Sequence, residues 1–199
     1  MVKTEIMKKI LLLAITVLMA IMANAQISVQ AGYLLNTCKT KVSPDKYSNS
    51  YNGIMVAADY NLNLTGNLSV APGLGLDYSF ENDTDEGYKV KYRELGLIAP
   101  VDVNYSFPIS DGFSFSVFAG PTFYYGLISK DVAETPSYNY YSDDNSRFDL
   151  FLGGGLWCDI NKTIRVKAGY KLGVTNNCKI DGIKERNNFF SLSVGFLFQ

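Results

Sequence analysis

The chain closes on Asn188-Phe189-Phe190-Ser191-Leu192-Ser193-Val194-Gly195-Phe196-Leu197-Phe198-Gln199. Phe190, Leu192, Val194, Phe196 and Phe198 share one parity. Ser191, Ser193 and Gly195 fall on the other. Alternation of period two is the signature of a β-strand whose two faces meet different surroundings. Here the apolar face carries large side chains and the opposite face mainly small ones.

Seven earlier runs repeat this pattern. They begin at Ile27–Thr37, Gly53–Leu64 and Leu68–Phe80. In the third, Leu68, Val70, Pro72, Leu74, Leu76, Tyr78 and Phe80 alternate with Ser69, Ala71, Gly73, Gly75, Asp77 and Ser79. The fourth, Tyr88–Tyr105, changes phase. Tyr88, Val90 and Tyr92 keep one parity, and Leu95, Leu97, Ala99, Val101 and Val103 the other. That switch predicts a β-bulge near Arg93-Glu94. Phe113–Leu127, Phe148–Cys158 and Ile164–Val174 complete the set. Pro72, Pro100 and Pro121 each remove a ladder hydrogen bond, and bulges are expected beside them.

Connections alternate in length. Leu64–Asn67, Phe107–Gly112 and Ile160–Thr163 are short and turn-forming. Cys38–Tyr51, Glu81–Gly87, Ile128–Asn145 and Asn176–Arg186 read as longer polar loops. Short turns at one end and long loops at the other describe an all-β, eight-stranded antiparallel up-and-down transmembrane barrel. Its short turns face the periplasm and its long loops face outside.

Residues 1–25 stand apart. Lys8 and Lys9 precede the apolar run Ile10–Met22, and Ala23-Asn24-Ala25 is a small-residue cleavage site. This is the pattern of a secretory signal peptide, with Met7 an alternative start to Met1. The domain reading is therefore 1–25 signal peptide and 26–199 barrel. Without Lys3, Lys8, Lys9 and Glu5, residues 26–199 hold 15 basic and 18 acidic residues. No basic stripe offers nucleic acid a footprint.

Volume decides which face turns inward. An eight-stranded interior is only just wide enough for side chains to fill. It cannot hold the bulky apolar set of all eight strands, so that face belongs to lipid. The small, polar face belongs to the lumen. Aromatics cluster near strand ends, as interfacial girdles require. Tyr60, Tyr105, Phe107, Phe113, Phe196 and Phe198 are assigned to the periplasmic rim. Tyr33, Tyr78, Phe80, Tyr125, Phe148 and Phe190 are assigned to the outer rim.

With these strands placed, Leu97-Ile98-Ala99-Pro100-Val101-Asp102-Val103-Asn104-Tyr105 resembles a strand common in small outer-membrane β-barrel proteins of the porin-like, OmpA/OmpX-type superfamily. Phe118-Ala119-Gly120-Pro121 and the triple glycine within Phe148–Gly155 resemble the strands that follow it. The resemblance covers Gln26–Gln199. It implies location in the outer membrane of a Gram-negative-type bacterium and contact with outer-membrane lipid. It also implies insertion by the barrel-assembly machinery through the C-terminal strand. It implies no particular activity.

Chemistry is limited by the absence of histidine from the chain. Ser-His and Cys-His catalysis and histidine metal sites are unavailable. An Asp-only, histidine-independent hydrolase stays formally open, but no catalytic residue and no cofactor are assigned. The lumen parity carries Asp59, Asp77, Asp102, Arg147, Asp149, Arg165, Lys167 and Lys171. Confined charges must be paired or hydrated. They form either a structural polar network or a narrow gated ion path. Asp83, Asp85 and Glu86 offer oxygen ligands to a hard cation, or are a solvated turn. Pro136–Asp144 holds exposed tyrosines that either bind a surface ligand or extend the fifth and sixth strands. Cys38 tops the first strand and Cys178 leads into the eighth, so a disulfide between them is geometrically open. The expected function is a monomeric barrel with a structural or cell-surface interaction role. A narrow channel for ions or small solutes is the alternative.

Overall fold

The computed structural model describes residues 26–85, 88–132 and 145–198, with 83–85, 88–90 and 130–132 described in backbone alone. The expected signal segment, Glu86, Pro136–Asp144 and Gln199 lie outside the described residues. Eight strands run β1 Gln26–Val42, β2 Asp45–Thr65, β3 Leu68–Asp85, β4 Tyr88–Ser110, β5 Phe113–Val132, β6 Phe148–Ile160, β7 Ile164–Gly173 and β8 Ile183–Phe198. Each pairs antiparallel with the next, and β1 with β8 closes the barrel. Closure sets Ile27 against Phe198 and Leu35 against Phe190.

The parity read from sequence decides the two faces. Val29, Tyr33, Val56, Leu76, Leu156, Leu192, Val194 and Phe196 are exposed on the outside. Gln30, Asp59, Asp77, Asp102, Trp157 and Ser193 are buried inside. An exposed apolar band around the whole barrel far exceeds the patch a soluble monomer carries. It is the surface a bilayer covers. The aromatics assigned to the rims are exposed, except that Tyr60 and Phe80 are half-buried. Turns at the periplasmic end are tight. Gly66, Asn161 and Lys162 adopt positive φ there, as hairpin turns demand.

Three expectations are corrected. Cys38–Tyr51 is not a loop. β1 and β2 continue past the apolar band to a hairpin that pairs Lys41 with Lys46 and Val42 with Asp45. β3 and β4 likewise continue to Asp85 and Tyr88. The β4 phase change is not a bulge near Arg93-Glu94, because β3 and β4 keep one register from Ala71↔Asp102 to Asp85↔Tyr88. The register shift lies instead between β4 and β5, where Leu95 pairs with Ile128 and Gly96 with Gly126. The extra residue is Leu127, and Leu127 and Ile128 are both exposed. Tyr92 reverses face because β4 has left the lipid level, where the apolar preference of the outside ends.

The prolines are also accommodated without bulges. Pairing lapses between Asp59↔Gly73 and Leu62↔Val70, beside Pro72, then resumes in the same register. The same happens beside Pro100 and Pro121. Each ring lacks the N–H that would face the preceding strand, so only that local pairing is lost.

Candidate functional site

The periplasmic half of the lumen is filled by charge stacked on aromatic rings. Trp157 of β6 and Phe118 of β5 stack with centroids 5.6 Å apart. The Arg165 guanidinium lies 4.1 Å from the Trp157 ring centre. Lys167 Nζ lies 4.5 Å from the Phe118 ring, and Lys171 Nζ 5.6 Å. Both lysines donate to one carboxylate. Lys167 reaches Asp102 Oδ2 at 2.9 Å and Lys171 reaches Asp102 Oδ1 at 2.7 Å. Lys171 also donates to the Gly120 carbonyl at 3.0 Å. Arg165 makes a two-pronged pair with Asp159, at 2.7 and 2.9 Å. Trp157 and Asp102 are 1% exposed and Arg165 is 2% exposed, so this layer is buried within the lumen. Cation–π contacts strengthen when desolvated, which suits a buried layer.

Glycine makes the space. A Cβ on Gly155 would sit 2.7 Å from Phe118 Cζ, and one on Gly169 3.0 Å from it. Gly155 and Gly169 thus give the Phe118 ring room against the barrel wall, while Gly153 and Gly154 lie against the backbone of the neighbouring strands.

The outer half is different. A cavity of about 70 Å³ opens there, lined by Tyr51, Tyr92, Tyr124, Asp77, Glu94 and Asp149 among others. That volume accommodates a few water molecules. Its floor is apolar, where Leu34 and Ile98 pack against Tyr124 and Phe189. Tyr124 donates to Glu94 Oε1 at 2.5 Å, and Tyr92 donates to Glu94 Oε2. Ser79 donates to Asp77 Oδ2 at 3.4 Å. Asp149 accepts from Thr175 and, at 2.9 Å, from Asn177. Here hydroxyls and amides donate to the carboxylates.

The eight charged residues read from sequence therefore do not form one network. Asp102, Lys167 and Lys171 come together. Arg165 pairs with Asp159, a residue the sequence reading passed over. Asp59 accepts from Ser28 at 3.2 Å and from Gln30. Asp77, Arg147 and Asp149 line the outer cavity, and Arg147 is exposed at its mouth. The expectation of a uniformly small lumen face is also corrected. Trp157, Phe118, Phe151 and Phe189 point inward, with Phe151 and Phe189 at 4.9 Å. Their signal was visible, since Phe151 and Trp157 alternate out of phase with Leu150, Leu152 and Leu156. The Asp159–Arg165 pair was also readable, because the two residues face each other across the Asn161-Lys162 turn.

Asp83 and Asp85 lie on β3, opposite Val90 and Tyr88. Among the described residues no cluster of three or more metal-ligating side chains occurs. Cys38, Cys158 and Cys178 are free thiols, so the Cys38–Cys178 bond open on sequence grounds is not formed here. Cys38 faces Asn187 of β8, while Cys178 bridges to Asn145. Cys38 sits above the lipid band. Burial, then Glu185, pushes its thiol up to about 12. A neutral thiol is a poor nucleophile.

The closed eight-strand ring, its apolar exterior and its polar interior point one way, and a family comparison agrees. A family model described as outer membrane protein beta-barrel domain matches residues 10–198. The chain belongs to this family. It is an integral protein of the Gram-negative outer membrane. Among solved structures it is similar to Ail, the attachment invasion locus protein of Yersinia pestis, determined with the heparin analogue sucrose octasulfate. That likeness has a TM-score of 0.50 and 15% identity, and covers 87% of this chain and 99% of Ail. It is similar in the same degree to neisserial surface protein A, with a TM-score of 0.50 and 15% identity, covering 86% of this chain and 97% of that one. At such identity the likeness is one of fold. No curated protein matches the chain.

Proposed function

We propose that this barrel is a non-conducting, non-enzymatic surface protein that presents strand-extended hairpins outside the cell. The observation carrying this reading is the Trp157–Phe118 layer, with Arg165, Lys167, Lys171 and Asp102 closing the periplasmic half of the lumen. A channel needs a continuous wet path, and ions bind poorly beside fixed charges that are already paired, as Asp102 and Asp159 are with Lys167, Lys171 and Arg165. The absence of histidine supports a role without catalysis. The β1–β2 and β3–β4 hairpins rise well past the lipid band, which suits contact with a surface ligand. Ail, an attachment and invasion protein by name, supports the reading that such a barrel serves at the surface.

The same reading takes residues 1–25 as a removed signal peptide, 26–199 as the barrel, the last strand as the assembly signal, and the protein as a monomer. The test is planar-bilayer recording of the refolded protein. Silence at all voltages is expected, and steady openings by the intact barrel would overturn the reading. N-terminal sequencing of the membrane-extracted protein is expected to begin at Gln26.

A further inference from the structure

Above the lipid band, the β8–β1–β2 wall carries a run of cations on its outer face. Strand registers place them together. Lys41 stands between Lys46 of β2 and Lys184 of β8, and Lys39 stands beside Arg186 of β8. All five are exposed. All five share the outward parity of Tyr33, Leu35, Ile54 and Phe190, which belong to the apolar band below. Among the described residues none of the five forms an ion pair. Like charges directly opposite on neighbouring strands destabilise a sheet. Here three lysines stand in one lateral row, and Asp181, which lines the same concavity as Lys41 and Lys184, forms no ion pair with them. Glu185 between Lys184 and Arg186 has inward parity, and Thr40 donates to it at 3.5 Å.

The other wall differs. Arg93 of β4, also on the outward parity, is tied down by the carbonyls of Glu81 and Tyr92 and by Asn82 Oδ1. Its donors are committed within the protein, whereas those of the β8–β1–β2 wall are not.

We propose that this patch binds the phosphate groups of outer-leaflet glycolipid. Height supports that occupant. Lys39 lies four residues beyond Leu35. At about 3.3 Å per residue and a tilt of about 40°, it stands roughly 10 Å above the last apolar row. A lysine or arginine side chain bends back toward the interface while its stem stays on the wall, so these charges meet the headgroup layer. A lipid whose acyl chains lie on the apolar band brings its phosphates to this row without leaving the membrane. Binding adds charge-assisted contacts and relieves the repulsion within the row.

The test uses the full refolded barrel in neutral detergent and reads retained lipid by native mass spectrometry. Diphosphoryl lipid A is the probe, and lipid A stripped of phosphate is its control. The wild type is expected to retain the diphosphoryl form at least tenfold better. The combined variant Lys39→Gln, Lys41→Gln, Lys184→Gln and Arg186→Gln is expected to lose that preference. Lys91→Gln on the opposite wall is expected to keep it. Heat-modifiable gel mobility checks that each variant is folded. Equal retention by a folded fourfold variant, or of the two lipids by the wild type, would overturn the proposal. So would displacement of lipid A by soluble dextran sulfate at equal charge, since the patch would then serve soluble polyanions.

Discussion

In the periplasmic half of the lumen Asp102 and Asp159 rest on cations, although Asp59 there takes Ser28 and Gln30, whereas hydroxyls and amides donate to the carboxylates of the outer half. Asp102 takes Lys167 and Lys171, while Glu94 takes Tyr92 and Tyr124. Both halves hang on the same eight strands with the same alternation. What differs is access to water. A charge sealed beneath Trp157 and Phe118 needs a counter-charge, because desolvation there is not offset by solvent. A carboxylate beside an open cavity is also served by hydroxyls, amides and water. If this contrast is right, equivalent deletions cost more below than above.

The largest effect is expected from Asp102→Asn. The side chain keeps its shape, but two buried ammonium groups lose their anion. Removing one partner of a buried pair costs about 3–5 kcal/mol. Urea unfolding in the presence of phospholipid vesicles measures it. A loss below about 1 kcal/mol would mean that the lower lumen is wet after all.

Phe118→Ala comes next, at about 3 kcal/mol, near the low end for an aromatic truncation because water can enter the space left behind. The same change removes the ring on which Lys167 and Lys171 rest. Combined with Trp157→Ala, it is expected to turn a silent barrel into one with measurable single-channel conductance. Continued silence would place the seal elsewhere.

Gly155→Ala should cost about 2 kcal/mol through overpacking, since its methyl meets the Ala168 carbonyl of the wall and, at 2.7 Å, the Phe118 ring. The second-site change Phe118→Leu should recover part of that loss in the same unfolding assay. No recovery would mean that the wall contact with the Ala168 carbonyl accounts for the whole loss.

The barrel itself was legible in the sequence because strand alternation is local and the lumen volume forbids the inverted arrangement. The lumen contacts were less so. Which charge meets which depends on strand stagger around the ring, and the stagger is set by pairings that no single strand encodes. Lys167 and Lys171 could be placed on the inner face of β7, but their convergence on Asp102, three strands away, could not. The hairpins above the membrane were misread as loops for another reason. Once β1 and β2 leave the lipid, neither face is apolar. Thr37-Cys38-Lys39-Thr40-Lys41 carries no alternation of hydrophobicity, although the ladder continues unbroken. The β4 phase change is the same effect, for Tyr92 turns apolar surface inward where lipid no longer demands it outward.

Tyr124→Phe gives the smallest and sharpest test. The phenol donates to Glu94 Oε1 at 2.5 Å, and the ring sits over Gly96, whose absent Cβ would lie 2.2 Å from it. Loss of the hydroxyl leaves ring packing intact and removes one donor from a carboxylate. Hydrogen bonds to charged groups are worth about 1.5–3 kcal/mol when nothing replaces them. Beside a cavity of about 70 Å³, water replaces the lost donor, and Tyr92 still donates to the other oxygen. The expected cost is therefore about 1 kcal/mol, well below that of Asp102→Asn in the same assay. A cost equal to that of Asp102→Asn would mean that Glu94 is as dry as Asp102. Glu94 would then depend on fixed protein donors as strictly as Asp102 depends on its lysines, and the two halves would differ in the chemistry of their partners but not in access to water.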